Sequence, residues 1–146
     1  MADEAAARAA LEKRVIDFTE AFNREDIDEV MSCFAADAIY DEFNGVRSVG
    51  LVAIRKALEP QFAGKYGRMR FHTEDMFLDV AAQKALIRWT LTLEEPHRAG
   101  AYRGLDILHW RGDRLVEKHT YCKALIPLIR KKAAMQAEGS WPGSNL

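Results

Sequence analysis

Residues 84–95 read KALIRWTLTLEE, and they restrict the possible folds more than any other stretch of the chain. Ala85, Ile87, Trp89, Leu91 and Leu93 alternate with Leu86, Arg88, Thr90, Thr92 and Glu94, the two-residue period of a strand with one buried face. The chain therefore needs a sheet, and it needs something apolar to cover the Trp89 side. That cover lies upstream, where the period is helical. Leu11, Val15, Phe18 and Phe22 recur at spacings of four, three and four, one stripe of an amphipathic helix over about residues 3–23. Asp26 followed by Glu29 reads as a capping box that opens a short second helix with Ile27, Val30, Met31 and Phe34 as its apolar stripe. Ile54, Leu58 and Phe62 place a third helix after Ser48–Gly50, and Pro60 should kink or restart it, because proline lacks the amide hydrogen and crowds the preceding turn.

Between the second and third helices, AIYDEFNG at 38–45 predicts a strand over 38–43 that ends at the Asn44-Gly45 turn. Downstream, residues 69–80 form a strand whose phase drifts at Glu74–Met76, as a bulge causes. After 84–95 come a turn at Pro96–Gly100, a strand over 101–111, a tight turn at Gly112-Asp113 and a strand over 114–125. Short connections between consecutive strands predict an antiparallel meander. Pro127 suits the first turn of a C-terminal helix reaching about residue 137, and EGSWPGSNL reads as a flexible end. Within 146 residues, one domain is expected. Its class is α+β: a curved, cone-shaped antiparallel sheet covered by the N-terminal helices, with an extra helix at the C-terminus. A bent sheet under helices encloses a hollow suited to a small molecule.

Charge and composition narrow the partners. With 21 basic and 22 acidic side chains spread along the chain, no basic stripe points to nucleic acid. No window approaches the roughly 20 apolar residues of a membrane span. The opening MADEAAARAALEKR is charged and alanine-rich, unlike a signal peptide, and the expected location is the cytoplasm. Cys33 and Cys122 lie far apart with no CxxC or Cys/His spacing, so neither a metal nor a disulfide is expected, and no cofactor motif is present.

Alternation assigns the polar candidates. Tyr40 and Glu42 share a face with Ala38; Asp106 shares one with Tyr102, Gly104, Leu108 and Trp110, opposite Arg103, His109 and Arg111. The Leu108–Trp110 face is the apolar one, which places Asp106 on an inner wall. Two inward carboxylates in an apolar hollow raise each other's pKa, and one base with one neutral acid is a division suited to moving a proton within a bound substrate. His72, on the bulged strand, is the third catalytic candidate. Phe18, Tyr40, Leu58, Phe62, Trp89, Leu91, Leu93, Leu108, Trp110 and Thr120 are candidates for the substrate-binding wall. Lys118 shares the inward face of the last strand with Thr120; if it reaches a carboxylate, it holds that group ionised.

FAADAIYDEFNGVRSVG (34–50), after the helix ending AFNREDIDEV, resembles the entry to the nuclear transport factor 2-like fold. YRGLDILHWRGDRLVEKHTYCKA (102–124) resembles the closing hairpin of SnoaL-like polyketide cyclases and ketosteroid isomerases. The resemblance spans about residues 10–125. It implies Glu42 at the position of the isomerases' base and Asp106 at that of their oxyanion-hole acid, while Phe18 stands where they carry a tyrosine. The limonene epoxide hydrolases share the fold, but Gly104 breaks their Arg-x-Asp spacing and Thr120 replaces their second aspartate. The resemblance implies a cofactor-free isomerase, cyclase or lyase that transfers a proton on an apolar carbonyl compound. It also implies a homodimer joined through the outer sheet face, with Leu105, Ile107, His109, His119 and Tyr121. The competing expectation is a non-catalytic ligand-binding or dimerisation module of the same fold; a partner-binding adaptor is a third.

Overall fold

The computed structural model describes residues 2–123. Helix α1 (Ala2–Asn23) and the short α2 (Ile27–Ser32) precede β1 (Phe34–Asp41), β2 (Arg47–Val49) and α3 (Leu51–Phe62). The long strands follow: β3 (Arg68–Asp79), β4 (Lys84–Glu95), β5 (Arg98–Arg111) and β6 (Arg114–Cys122). They form one six-stranded sheet in the order β2-β1-β6-β5-β4-β3. The class is the expected α+β cone: a curved, mostly antiparallel sheet with helices over its inner face. One pairing departs from the meander, because β1 joins β6 in parallel and brings the two ends of the chain's β structure together. The expected C-terminal helix and flexible end lie outside the described residues.

Local chemistry explains the element ends. Asp26 accepts from the amides of Asp28 and Glu29 and so caps α2, but Glu29 turns away to the guanidinium of Arg24, leaving half of the anticipated box. Strand β1 starts at Phe34, four residues earlier than its sequence pattern predicts, and an irregularity between Phe34 and Ile39 in its pairing with β6 hides the period. Phe34 thus belongs to a strand, not to α2. Glu42 falls one residue beyond β1. The three-residue β2 is too short to show a period and is absent from the sequence reading. It gives way to α3 at Gly50, whose φ of 85° suits only glycine and whose amide reaches the Ala38 carbonyl at 2.8 Å.

Helix α3 runs through Pro60 to Phe62 as a single helix, contrary to the expected break. Proline so close to the helix end removes one intrahelical bond and little else. The β3 bulge sits at Glu74, between the Thr73 and Asp75 pairings, within the region where the phase drifts. The β4–β5 turn shrinks to Pro96-His97, so β5 begins at Arg98 instead of residue 101. A second bulge, at Val116, lets both Leu115 and Lys118 face inward although their spacing is odd.

Leu11, Val15, Phe18 and Phe22 of α1 pack on Ile87, Trp89, Leu108 and Trp110 of the sheet. The rings connect edge to face, from Trp110 through Phe18 and Phe22 to Phe71 and Trp89, with centroids 5.0–6.1 Å apart. Asn23 fastens the end of α1 to the sheet: its side chain accepts from the Phe71 amide at 2.7 Å and donates to the Phe71 carbonyl at 2.9 Å. Among the described residues no helix is long and apolar enough to cross a membrane.

Candidate functional site

Asp106 lies mid-strand on β5 among apolar neighbours and is 7% exposed. Its inward direction follows from the alternation with Leu108 and Trp110. Three donors converge on it. Lys118 Nζ reaches Oδ1 at 3.0 Å, Thr120 Oγ1 donates to the same oxygen at 2.6 Å, and Trp89 Nε1 donates to Oδ2 at 3.1 Å. Lys118 Nζ also donates to Thr120 Oγ1 at 2.6 Å, which closes a triangle. Such a set of donors suits a carboxylate, which accepts only, and not the neutral acid anticipated at this position.

The register of the sheet builds this centre. Thr120 sits directly opposite Asp106 on β6, and Lys118 is one inward position away. Trp89 sits opposite Gly104, two residues from Asp106. A Cβ at Gly104 would come within 2.5 Å of the Trp89 ring, so glycine there leaves the space in which the indole lies flat across β5 and aims its N–H at the acid.

Lys118 is only 5% exposed. Burial is the largest single influence and lowers the ammonium's pKa, but the charge of Asp106, the hydrogen bond to it and the neighbouring Tyr40 and Cys122 together outweigh burial, and Lys118 is held above the usual lysine value. Its Nζ also lies 4.5 Å from the centroid of the Tyr40 ring and 5.7 Å from that of Phe22. Burial pushes the Tyr40 hydroxyl upward as well. Glu42, half-buried just past β1, has its carboxyl raised by burial and partly restored by the charge of Lys118. Lys118 therefore pairs directly with Asp106, sealed in the wall, and acts through its charge alone on Glu42, nearer the surface.

The other candidates separate into two groups. Phe18, Leu58, Trp89, Leu91, Leu108, Trp110 and Tyr40 are buried in the core; Phe62, Leu93 and Thr120 are partly buried around it. His72 is a correction. It is exposed on the opposite face of the sheet, with Nε2 3.0 Å from Thr92 Oγ1. The β3 bulge lies after residue 72, so Phe71 keeps the inward phase and His72 the outward one. Cys122, on the inward side of β6, has its thiol raised by burial. Among the described residues no three His, Cys, Asp or Glu side chains are grouped to hold a metal ion.

Two surface clefts adjoin at the end of the cone where α1 and α3 finish. One of about 330 Å³ is lined by Phe22, Phe62, Met69, Gln61, Glu25 and Arg68 against the 63–67 turn. The other, of about 440 Å³, shares Gly64 and Gly67 with it and extends to Pro96–Arg98. Neither is lined by Glu42 or Asp106. Of these lining residues, sequence reasoning names only Phe62 as a binding candidate, because a cleft made by one turn meeting one helix end carries no periodic signal.

An α+β cone with polar side chains in its inner wall defines the class. Residues 15–118 match the SnoaL-like domain, and the chain belongs to that family. Solved structures agree in fold. A candidate SnoaL-like polyketide cyclase from Shewanella denitrificans shares 16% identity over 78% of this chain and 90% of its own, with a TM-score of 0.67. A candidate polyketide cyclase from Xanthomonas campestris is 18% identical over 79% of this chain and 91% of its own, at 0.64. An uncharacterised cystatin-fold protein from Novosphingobium aromaticivorans is 16% identical over 74% and 94%, at 0.62. No curated protein matches the chain.

Proposed function

We propose that this SnoaL-like protein binds an apolar carbonyl compound and moves a proton on it without a cofactor. The observation that carries the reading is the Lys118–Asp106 ion pair inside an apolar cone, with the half-buried Glu42 within reach of the charge of the same cation. Buried charges of this kind concentrate at working sites, though structural ion-pair networks share the feature. Glu42 takes the proton from the carbon next to the carbonyl and later returns it. Lys118, which gives hydrogen bonds to Asp106 and Thr120, turns its remaining N–H from the Tyr40 ring to the oxygen as the enolate forms. Asp106 then acts through Lys118 by holding and charging it, a different part from that of a neutral acid.

The test is exchange of the α-protons of 2-tetralone in deuterated water, followed by proton NMR. Wild type should exceed the buffer rate, and Glu42→Gln should lower the excess by on the order of 10²-fold or more. Exchange at the buffer rate in wild type, or an unaltered rate in Glu42→Gln, overturns the reading.

One observation favours a second reading, a non-catalytic binding or dimerisation module. Both oxygens of Asp106 are already engaged by protein donors. In that case the pair is structural, and absence of exchange accompanies an intact fold. Self-association through the outer sheet face belongs to either reading. It is supported by the exposed Phe77, Ile107 and Tyr121, which share that face. Sedimentation of Ile107→Glu against wild type tests it: a dimer should become a monomer.

A further inference from the structure

We propose that the outer sheet face takes up a proton as it receives a second copy of this chain, with His109, Glu117 and His119 as the proton-binding group. The inference rests on the self-association proposed above and adds its regulation.

The register of the sheet gathers these side chains at the middle of that face. Glu117 lies between Ile39 of β1 and His109 of β5 in one cross-strand row, and His119 lies between Asp41 and Ile107 in the next. His119 Nε2 is 3.6 Å and His109 Nδ1 3.7 Å from the same oxygen of Glu117, so two imidazoles border one carboxylate. The exposed Val49 and Phe77 belong to the same two rows and extend the apolar surface around Ile107.

The other charges facing this group are balanced. Asp41, beside His119, is bonded to Arg47, with Nε at 2.7 Å; Arg47 in turn feels Glu117 through its charge only. Lys84 stands opposite His109 on β4 and opposite Asp79 on β3. Arg111 pairs with Asp37 at 2.7 Å, Arg88 with Asp75 at 2.7 Å and Arg103 with Glu74 at 3.7 Å. Among the described residues no lysine or arginine is paired with Glu117, whose neighbours are the two histidines. With both imidazoles neutral, Glu117 is therefore the carboxylate in excess.

In the single chain the Glu117 side chain is 40% exposed, and water solvates its charge. An isologous contact buries it in both copies at once and sets the same excess on either side of the interface. A carboxylate buried without a counter-charge is costly. A proton on either imidazole provides that counter-charge and turns a loose contact into a charge-assisted hydrogen bond. Histidine is the side chain that changes charge between about pH 5 and 8. The joined copies then hold more protons than the separate chains, so association strengthens as pH falls through that window.

Sedimentation equilibrium of the full-length protein at pH 8 and pH 6, at one ionic strength, tests this. The wild-type Kd should be lower at pH 6 by at least about tenfold. Glu117→Gln, at a half-exposed position, should associate at pH 8 as tightly as wild type does at pH 6 and gain nothing from acid. His109→Asn combined with His119→Asn keeps the carboxylate and removes both proton acceptors, so it should stay weak at both values. A wild-type Kd that is unchanged or higher at pH 6, or Glu117→Gln with the wild-type pH dependence, overturns the proposal. A dimer of equal strength at both values removes the proton linkage and leaves self-association standing; a monomer at both removes the two together.

Discussion

The two faces of the same strands handle charge in opposite ways. On the outer face a chain of carboxylates, one guanidinium and two imidazoles crosses from β2 to β5. Arg47 grips Asp41 with Nε at 2.7 Å, His119 Nδ1 lies 2.9 Å from the same carboxylate, and Glu117 lies 3.6 Å from His119 and 3.7 Å from His109. Every member of that chain retains contact with solvent. On the inner face Lys118, Asp106 and Thr120 form a closed triangle that is almost dry. In the single chain water can replace any partner lost outside, whereas nothing replaces one lost inside. The same ion-pair chemistry should therefore carry very different energies on the two sides of one sheet.

The largest effect should come from breaking the inner pair on one side only. Lys118→Met leaves Asp106 buried with Thr120 and Trp89 but no counter-charge, and should destabilise the protein by about 3–5 kcal/mol. Removing both charges, in Asp106→Leu with Lys118→Met, should recover most of that loss, because no charge is then left unpaired. Urea midpoints of the three proteins check both statements. Equal losses in the single and double variants would show that shape, and not charge, dominates the inner wall.

Next in size is Gly104→Ala. The added methyl would meet the Trp89 ring at 2.5 Å and the Tyr121 carbonyl oxygen at 2.4 Å, neither of which can yield without moving a strand. A loss of roughly 1–3 kcal/mol is expected, with a changed near-ultraviolet signal as Trp89 leaves Asp106. Gly100 lies on the same strand, and a methyl there would meet nothing within 4 Å, so Gly100→Ala is the control and should be neutral or slightly stabilising. A similar loss in both variants would mean that strand propensity, and not the seat of the indole, explains the glycine at 104.

How much of this contrast is legible in the sequence depends on the period of each strand. Strands β4 and β5 alternate without a break over their shared length, so the inward direction of Trp89, Asp106, Leu108 and Trp110 can be read directly. Strand β6 puts Lys118 and Thr120 inward as alternation suggests, yet the distance from Lys118 to Asp106 depends on register, which no single strand encodes. His72 escapes a correct assignment because a bulge changes the phase only beyond its own position, and the sequence shows the drift but not its onset. The parallel β1–β6 pairing, the three-residue β2 and the cleft at the end of α1 arise from contacts between distant segments. Local patterning carries no trace of them.

Glu42 lies between the two regimes, half-buried at the end of β1. Burial raises its pKa, so the protonated form is favoured in the folded state. Its contribution to stability is complete below the ordinary glutamate value of 4.5 and is lost as pH rises through the higher folded value. Glu42→Gln imitates the protonated form. It should therefore melt at a higher temperature than wild type at pH 7, and the difference should close below about pH 4. A lower melting temperature at pH 7 would show Glu42 held by partners like those of Asp106, which would move it from the rim to the inner wall.

The smallest effect belongs to the outer chain, and it sharpens the comparison by its conditions as much as by its size. Arg47, bonded to Asp41, is the chief reason that carboxyl is held below the usual range, with His119 adding to it. A depressed carboxyl stabilises the fold above its ordinary value of 3.8, and that contribution disappears as pH falls through the lower folded value. Arg47→Ala should lower the melting temperature by no more than about two degrees at neutral pH. Near 1 M salt, where screening acts within about 3 Å, even that difference should fade, as it should in acid. Lys118→Met should lose almost none of its larger effect in the same salt, because its pair lies where ions do not reach. If the two variants respond alike to salt, the inner triangle is open to solvent and the distinction between the faces collapses.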